Sequence, residues 1–150
     1  MGSYGRRIGK LYGGIDDISV FIPQFETNLC VTSAMMRKVQ SGDFETASID
    51  SSRLIKDYYS SDPYHVYISG ERDAYIYNAY GNGKKCFVIG DSFAATFVPF
   101  IALDFSETLR YDARSVEGTA VEHINEFQPD VVIVIYNSGN ELNEMFDFGT

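Results

Sequence analysis

The chain is 150 residues long, the size of one common domain, with 45% hydrophobic and 22% charged residues. That composition excludes disorder as the main state, a collagen-like chain and a disulfide scaffold. Twelve basic against 21 acidic side chains give a net charge of −9, which excludes nucleic-acid binding through a general electrostatic footprint and opposes anionic membrane surfaces.

Residues 1–17 contain Gly2, Gly5, Gly9, Gly13 and Gly14, too many glycines for a helix, and read as an extended arm. Arg6, Arg7 and Lys10 are not followed by an apolar core, so the arm is not a signal peptide. No run reaches the roughly 18 to 20 apolar residues of a membrane span. Residues 18–80 read as β-rich. A strand is expected over 18–22, stopped by Pro23, and a helical turn or two over 32–39. Two more strands are expected over 64–69 and 74–78, joined as a hairpin through Gly70-Glu71-Arg72-Asp73.

Residues 81–150 read as an α/β core. Residues 85–89 form an apolar run without alternation, as in a strand buried on both faces. Gly90-Asp91-Ser92 ends it, and Phe93, Phe97, Phe100 and Ile101 recur at helical spacing, with Pro99 expected to kink or shorten the helix. A strand over 109–112, a helix over 119–127, a strand over 131–136 and a short helix over 141–148 follow. The alternation predicts an α/β fold with a parallel sheet and helix-covered faces. Seven of the nine net negative charges fall in residues 81–150, which suits a neutral or cationic substrate better than a polyanion.

In such a sheet, ligands gather at the carboxyl ends of the strands. That edge would hold Gly90-Asp91-Ser92, Tyr111-Asp112-Ala113-Arg114 and Tyr136-Asn137-Ser138-Gly139-Asn140. Ser92 follows a buried strand and begins a helix, where backbone N–H groups face a developing oxyanion. The plainer reading is that Asp91 or Ser92 only caps the helix. Asn137 reads by itself as a strand-end turn residue. Asp112 and Arg114 either line the cleft or form a surface ion pair of little worth.

Asp62-Pro63-Tyr64-His65 spells Asp-x-x-His, yet it precedes Ser92, and His65 reads as a structural or solvated strand residue; it is a weak candidate base. His123 reads as a solvated helix residue. Cys86 reads as a buried strand residue, and a disulfide with Cys30 is not expected. No metal-ligand spacing occurs.

Val88-Ile89-Gly90-Asp91-Ser92-Phe93 resembles the first motif block of the SGNH, or GDSL-type, hydrolase superfamily, and it lies within the longer run Lys84-Lys85-Cys86-Phe87-Val88-Ile89-Gly90-Asp91-Ser92-Phe93-Ala94. Together with Phe97-Val98-Pro99-Phe100, Tyr111-Asp112-Ala113-Arg114, Pro129-Asp130-Val131-Val132 and Tyr136-Asn137, it is similar to the carboxyl-terminal half of the DHHW-type branch. Gly2-Ser3-Tyr4-Gly5-Arg6-Arg7 and Asp16-Asp17-Ile18-Ser19-Val20-Phe21-Ile22-Pro23 fit the same branch, which is itself similar to alginate O-acetyltransferases of bacterial envelopes.

The resemblance implies a three-layer SGNH/flavodoxin-like parallel sheet, seen here as a partial domain, with a β-rich amino-terminal half. It implies Ser92 as acyl-accepting nucleophile beside Asp91, and an oxyanion hole from the Ser92 N–H and the Asn137 amide. Asn140 is the rival donor, since Gly139-Asn140-Glu141 resembles the superfamily's Gly-x-Asn-Asp block. Gly118 stands weakly for the glycine block. No cofactor is implied.

The superfamily's Asp-x-x-His after the last helix has no counterpart by Thr150, and the DHHW branch carries its Asp-His pair upstream of the matching region. The expectation is therefore a serine esterase or O-acetyltransferase for acetylated envelope polysaccharide, located in the cell envelope or outside it, with its Asp-His pair in an upstream segment. The alternative is a non-catalytic glycan- or partner-binding module of the same fold. A nucleotide binder ranks last, because no Gly-x-Gly-x-x-Gly or Walker-type loop follows a strand.

Overall fold

The computed structural model describes residues 19–33, 38–54, 63–70 and 73–137. The arm over 1–17 and the helix expected over 141–148 lie outside them. Six strands form one mixed sheet: β1 (Leu29–Ser33), β2 (Lys38–Gly42), β3 (Ala74–Asn78), β4 (Lys85–Gly90), β5 (Glu107–Tyr111) and β6 (Val131–Ile135). Their spatial order is β2-β1-β3-β5-β4-β6.

The core of the parallel reading holds: β4 runs parallel to both β5 and β6. The sheet as a whole is not parallel, however. The β-rich amino-terminal part joins it through antiparallel pairs β1–β2, β1–β3 and β3–β5. β4 is buried from Cys86 to Gly90 because it lies between β5 and β6 and has a helix over each face.

Helix α1 (Phe44–Ser48) is one short turn capped by Asp43. Helix α2 (Ser92–Ile101) covers one face, where Ala94, Val98 and Ala102 meet Cys86, Val88 and Ile76. Its buried stripe is small residues, Ala94, Ala95, Val98 and Pro99, so the backbone sits close to the sheet; Phe93 and Phe97 are exposed. Pro99 lies within the helix, near its end, rather than stopping it. Helix α3 (Ala120–Phe127) covers the other face, with Ala120, Ile124 and Phe127 against Phe87, Ile89 and Tyr111. Its start carries a capping box: the Glu122 N–H donates to Thr119 Oγ1 at 3.2 Å and the Thr119 N–H to Glu122 Oε2 at 2.8 Å.

Four expectations in the amino-terminal part are corrected. Residues 32–33 and 38–39 belong to strands β1 and β2, not to a helical turn, because each pairs across the sheet. Residues 64–69 form no strand: Pro63–Val66 and Ile68–Gly70 are 3-10 turns, with Ile68 and Ser69 at positive φ (46° and 54°). Burial imposes this shape. Val66, Tyr67 and Ile68 are all in the core, and the Tyr67 ring packs on Phe100 at 5.2 Å. The expected hairpin to residues 74–78 is therefore absent, and β3 pairs instead with β1 and β5. Described residues 19–22 make no strand either. The Phe21 N–H donates to the Tyr67 hydroxyl at 2.8 Å, which returns a 3.2 Å bond to the Phe21 carbonyl.

Cys30 and Cys86 are both free thiols, and Cys86 is fully buried in β4. Burial pushes its thiol from 9.0 up to about 11. A group whose folded pKa is raised gives stability that is whole below its unfolded value and fades as pH climbs through the folded one. Cys86→Ala is expected to lose less stability than the parent between pH 9.0 and about 11, as read by urea unfolding across that window.

Candidate active site

The helices after β4 and β5 leave toward opposite faces of the sheet, α2 to one and α3 to the other. The carboxyl ends of the parallel strands are the usual ligand position in sheets of this kind. Ile89 pairs with Tyr111 and Gly90 with Ile135. The residues that follow, Asp91-Ser92, Asp112-Arg114 and Tyr136-Asn137, thus share one sheet edge. The first residues of the three loops expected at this edge share it, the third loop as far as Asn137.

Ser92 is the first residue of α2 and is half-buried. Asp91, the N-cap, is completely buried. Its Oδ1 accepts the Phe93 N–H at 2.9 Å, the usual capping bond. Its Oδ2 accepts the Asn137 N–H at 3.0 Å, across 46 residues. The capping reading of Asp91 is thus correct but incomplete, since the same carboxylate straps the end of β6 to the start of α2. Asparagine there would keep one acceptor and turn an NH2 toward the other N–H. Asp91→Asn is expected to cost about 1–3 kcal/mol, the penalty for a buried donor left without an acceptor, measured as a lower urea midpoint with unchanged slope.

Asp112 is buried, which corrects the surface-ion-pair alternative. It accepts from Arg114 Nε at 2.9 Å, Arg114 Nη2 at 2.7 Å and the Arg114 N–H at 3.1 Å. That forked hydrogen bonding holds the Arg114 guanidinium above its ordinary pKa. The Arg114 side chain remains 43% exposed, so the pair has a buried anion and an accessible cation at the strand ends.

Arg110 was not legible as a site residue. It lies in β5, is the largest fully buried side chain among the described residues, and is just 1% exposed. Its Nη2 donates to the Asp91 carbonyl at 2.9 Å and stands 3.7 Å from Asp112 Oδ2. Burial draws its pKa down from 12.5 to about 10, against the pull of Asp112. It therefore remains a cation at neutral pH, buried among Asp91, Asp112 and Asp73. Its only sequence signal is a basic residue in the middle of a strand that is two-sided in burial, which must find a partner inside.

Gly118 is exposed, at φ +85° in the loop before α3, and its carbonyl accepts the Tyr111 hydroxyl at 2.7 Å. His123 is not a solvated helix residue. It is half-buried, with Nε2 2.8 Å from the Glu117 carbonyl and its ring 5.1 Å from that of Tyr111. His65 is corrected from strand to turn, and its ring lies against Gly70, where a Cβ would come within 2.5 Å of it. Asp62, Ser138, Gly139, Asn140 and Glu141 lie outside the described residues. Among the described residues no three His, Cys, Asp or Glu side chains cluster to hold a metal, and no helix is long and apolar enough to cross a membrane.

No protein-family model matches the chain, and no curated protein matches it. Solved structures do. Bacillus cereus PatB1, in a structure with a sulfonyl adduct, matches at TM-score 0.63 and 20% identity, over 86% of this chain and 43% of PatB1. A second PatB1 structure matches at TM-score 0.60 and 20% identity, over 86% of this chain and 42% of that one. A DHHW family protein from Eubacterium siraeum matches at TM-score 0.53 and 21% identity, over 77% and 36%. The chain shares the fold of PatB1 and of a DHHW family protein. The motif order resembled the DHHW-type branch, and the match to a DHHW family protein bears out that resemblance at the level of the fold. The chain spans less than half the length of each of these proteins.

Proposed function

We propose that this chain carries the nucleophile-bearing part of a DHHW-type SGNH acyl-transfer site, an esterase or O-acetyltransferase for O-acetyl groups on a cell-envelope polysaccharide. The observation that carries the reading is the position of Ser92. It opens a ten-residue helix at the end of a parallel strand buried from Cys86 to Gly90, at the sheet edge from which the two helices leave toward opposite faces. The PatB1 structure with a sulfonyl adduct adds support, because sulfonyl groups are electrophiles that activated nucleophiles capture.

In this reading the Ser92 Oγ attacks the carbonyl carbon of an acetyl ester. The oxyanion that forms accepts from the Ser92 N–H and the Asn137 side-chain amide, aided by the positive end of α2. The C–O bond to the sugar then breaks and the departing oxygen takes a proton, leaving acetyl-Ser92. Water or a second sugar hydroxyl attacks next, giving hydrolysis or transfer. The imidazole that moves these protons, with its Asp, is assigned to upstream polypeptide rather than to His65. Asp112, Arg114, Gly118 and Asn140 are assigned to the substrate cleft. The fold in this reading is the three-layer SGNH arrangement, and the place of action is the cell envelope or beyond it.

The test is covalent labelling of the full-length protein with an aryl sulfonyl fluoride, followed by peptide mapping. One sulfonyl group on the peptide that contains Ser92 is expected. A protein that turns over acetyl esters with Ser92 unlabelled would overturn the reading, and one that binds acetylated glycan without labelling or turnover would favour the non-catalytic module.

A further inference from the structure

The peptide group between Asp91 and Ser92 has its carbonyl on one residue and its N–H on the next. Peptide groups are planar and trans, so the two point in opposite directions. Whatever fixes the carbonyl also fixes the N–H. In this chain the Asp91 carbonyl is fixed from below by a cation, through the 2.9 Å bond from Arg110 Nη2. The Ala94 N–H also donates to it, at 3.1 Å.

Arg110 itself has little freedom. Its side chain is completely buried, and the pairing of Ala74 and Val88 with Arg110 fixes its backbone on both sides. Asp112 Oδ2 holds the same Nη2 at 3.7 Å and balances its charge. Arg110 Nε and Nη1 have no hydrogen-bond partner among the described residues. Such a costly group is poorly explained by stability alone, since a buried ion pair commonly adds no more than a well-packed apolar residue would.

Resting on the reading of Ser92 as nucleophile, we propose that Arg110 is a positioning residue for the oxyanion hole. By holding the Asp91 carbonyl toward the core, it aims the Ser92 N–H outward at the carboxyl ends of the strands. A cation on the carbonyl also polarises the peptide and makes that N–H a stronger donor. Asp91 completes the device through its side chain, which ties the Asn137 backbone, and so the second proposed donor, to the same point. Arg110 does not touch substrate; it acts through the peptide.

The test uses the full-length protein and p-nitrophenyl acetate, with rates expressed per site that an aryl sulfonyl fluoride labels. Arg110→Met is expected to lower kcat per labelled site by about 10- to 100-fold, short of the 10²- to 10³-fold typical of losing a whole donor, with KM changed by no more than about twofold. Arg110→Lys keeps the charge on a flexible stem without the planar fork, and should recover part of that loss. A merely structural arginine would reduce the number of labelled sites and the urea midpoint but leave kcat per site unchanged, and that result overturns the proposal. If Arg110→Met does not fold, Arg110→Lys carries the test with the same readouts. Ser92→Ala is run in parallel. If it retains turnover, the nucleophile reading falls and this inference with it. If it is inactive while both Arg110 variants match the parent per site, only this inference falls.

Discussion

Ser92→Ala in the full-length protein is expected to lower kcat for p-nitrophenyl acetate by at least about 10⁴-fold, as removal of a covalent nucleophile commonly does. Its stability should be almost unchanged. Ser92 is half-buried, and Asp91, not Ser92, makes the capping bond to α2. Alanine is also a good residue in the first helical turn. The two measurements together matter, because a nucleophile is a side chain whose loss stops turnover and spares the fold. The residual rate is informative too. Deleting the nucleophile leaves any oxyanion hole in place, so some acceleration over the uncatalysed reaction should persist. Intact turnover in the variant would remove Ser92 from the chemistry.

The part of the fold that sequence conveyed well is the part with few alternatives. β4, α2, β5, α3 and β6 are short, strongly apolar or periodic, and separated by Gly, Pro or Asp. Each sits within a residue or two of its expected place, and the helix after β4 opens at Ser92 as expected. The amino-terminal part was harder because its local signals conflict with its packing. Ala34, Met35 and Met36 favour helix, yet the residues on either side pair as β1 and β2. Tyr64, Val66, Tyr67 and Ile68 favour strand, yet burial against Phe44 and Phe100 folds that stretch into turns. Packing decided both cases, as it does when propensity is weak.

The candidate site divides in the same way. Asp91, Ser92, Asp112, Arg114 and Asn137 were placed by one rule, that polar loops gather at strand ends. Arg110 was invisible to that rule because it lies within a strand, and its partners are a backbone carbonyl and a carboxylate that only the fold brings near. The same holds for the bond from the Asn137 N–H to Asp91, which depends on the register of β4 and β6.

That register is vulnerable at one atom, and Gly90→Ala should expose it. A Cβ on Gly90 would stand 2.2 Å from the Ile135 carbonyl oxygen and 2.7 Å from the Ala94 Cβ. Neither neighbour is the loose end of a flexible side chain. Ile135 is backbone in β6, and Ala94 is packed at the start of α2, with no exposed surface. To make room, β6 must move away from β4, or α2 must lift from the sheet. Either movement pulls on the Asp91–Asn137 strap, since its two ends belong to these two elements. The expected destabilisation is about 3 kcal/mol or more, at the upper end of overpacking costs. Stability of a domain this size is typically about 5–15 kcal/mol, so the loss should appear as a large fall in urea midpoint. Whatever folded protein remains should label poorly with sulfonyl fluoride at Ser92, because the start of α2 has shifted. A Gly90→Ala protein with the parent's midpoint and labelling rate would mean that β4 and β6 do not approach as closely as this register requires.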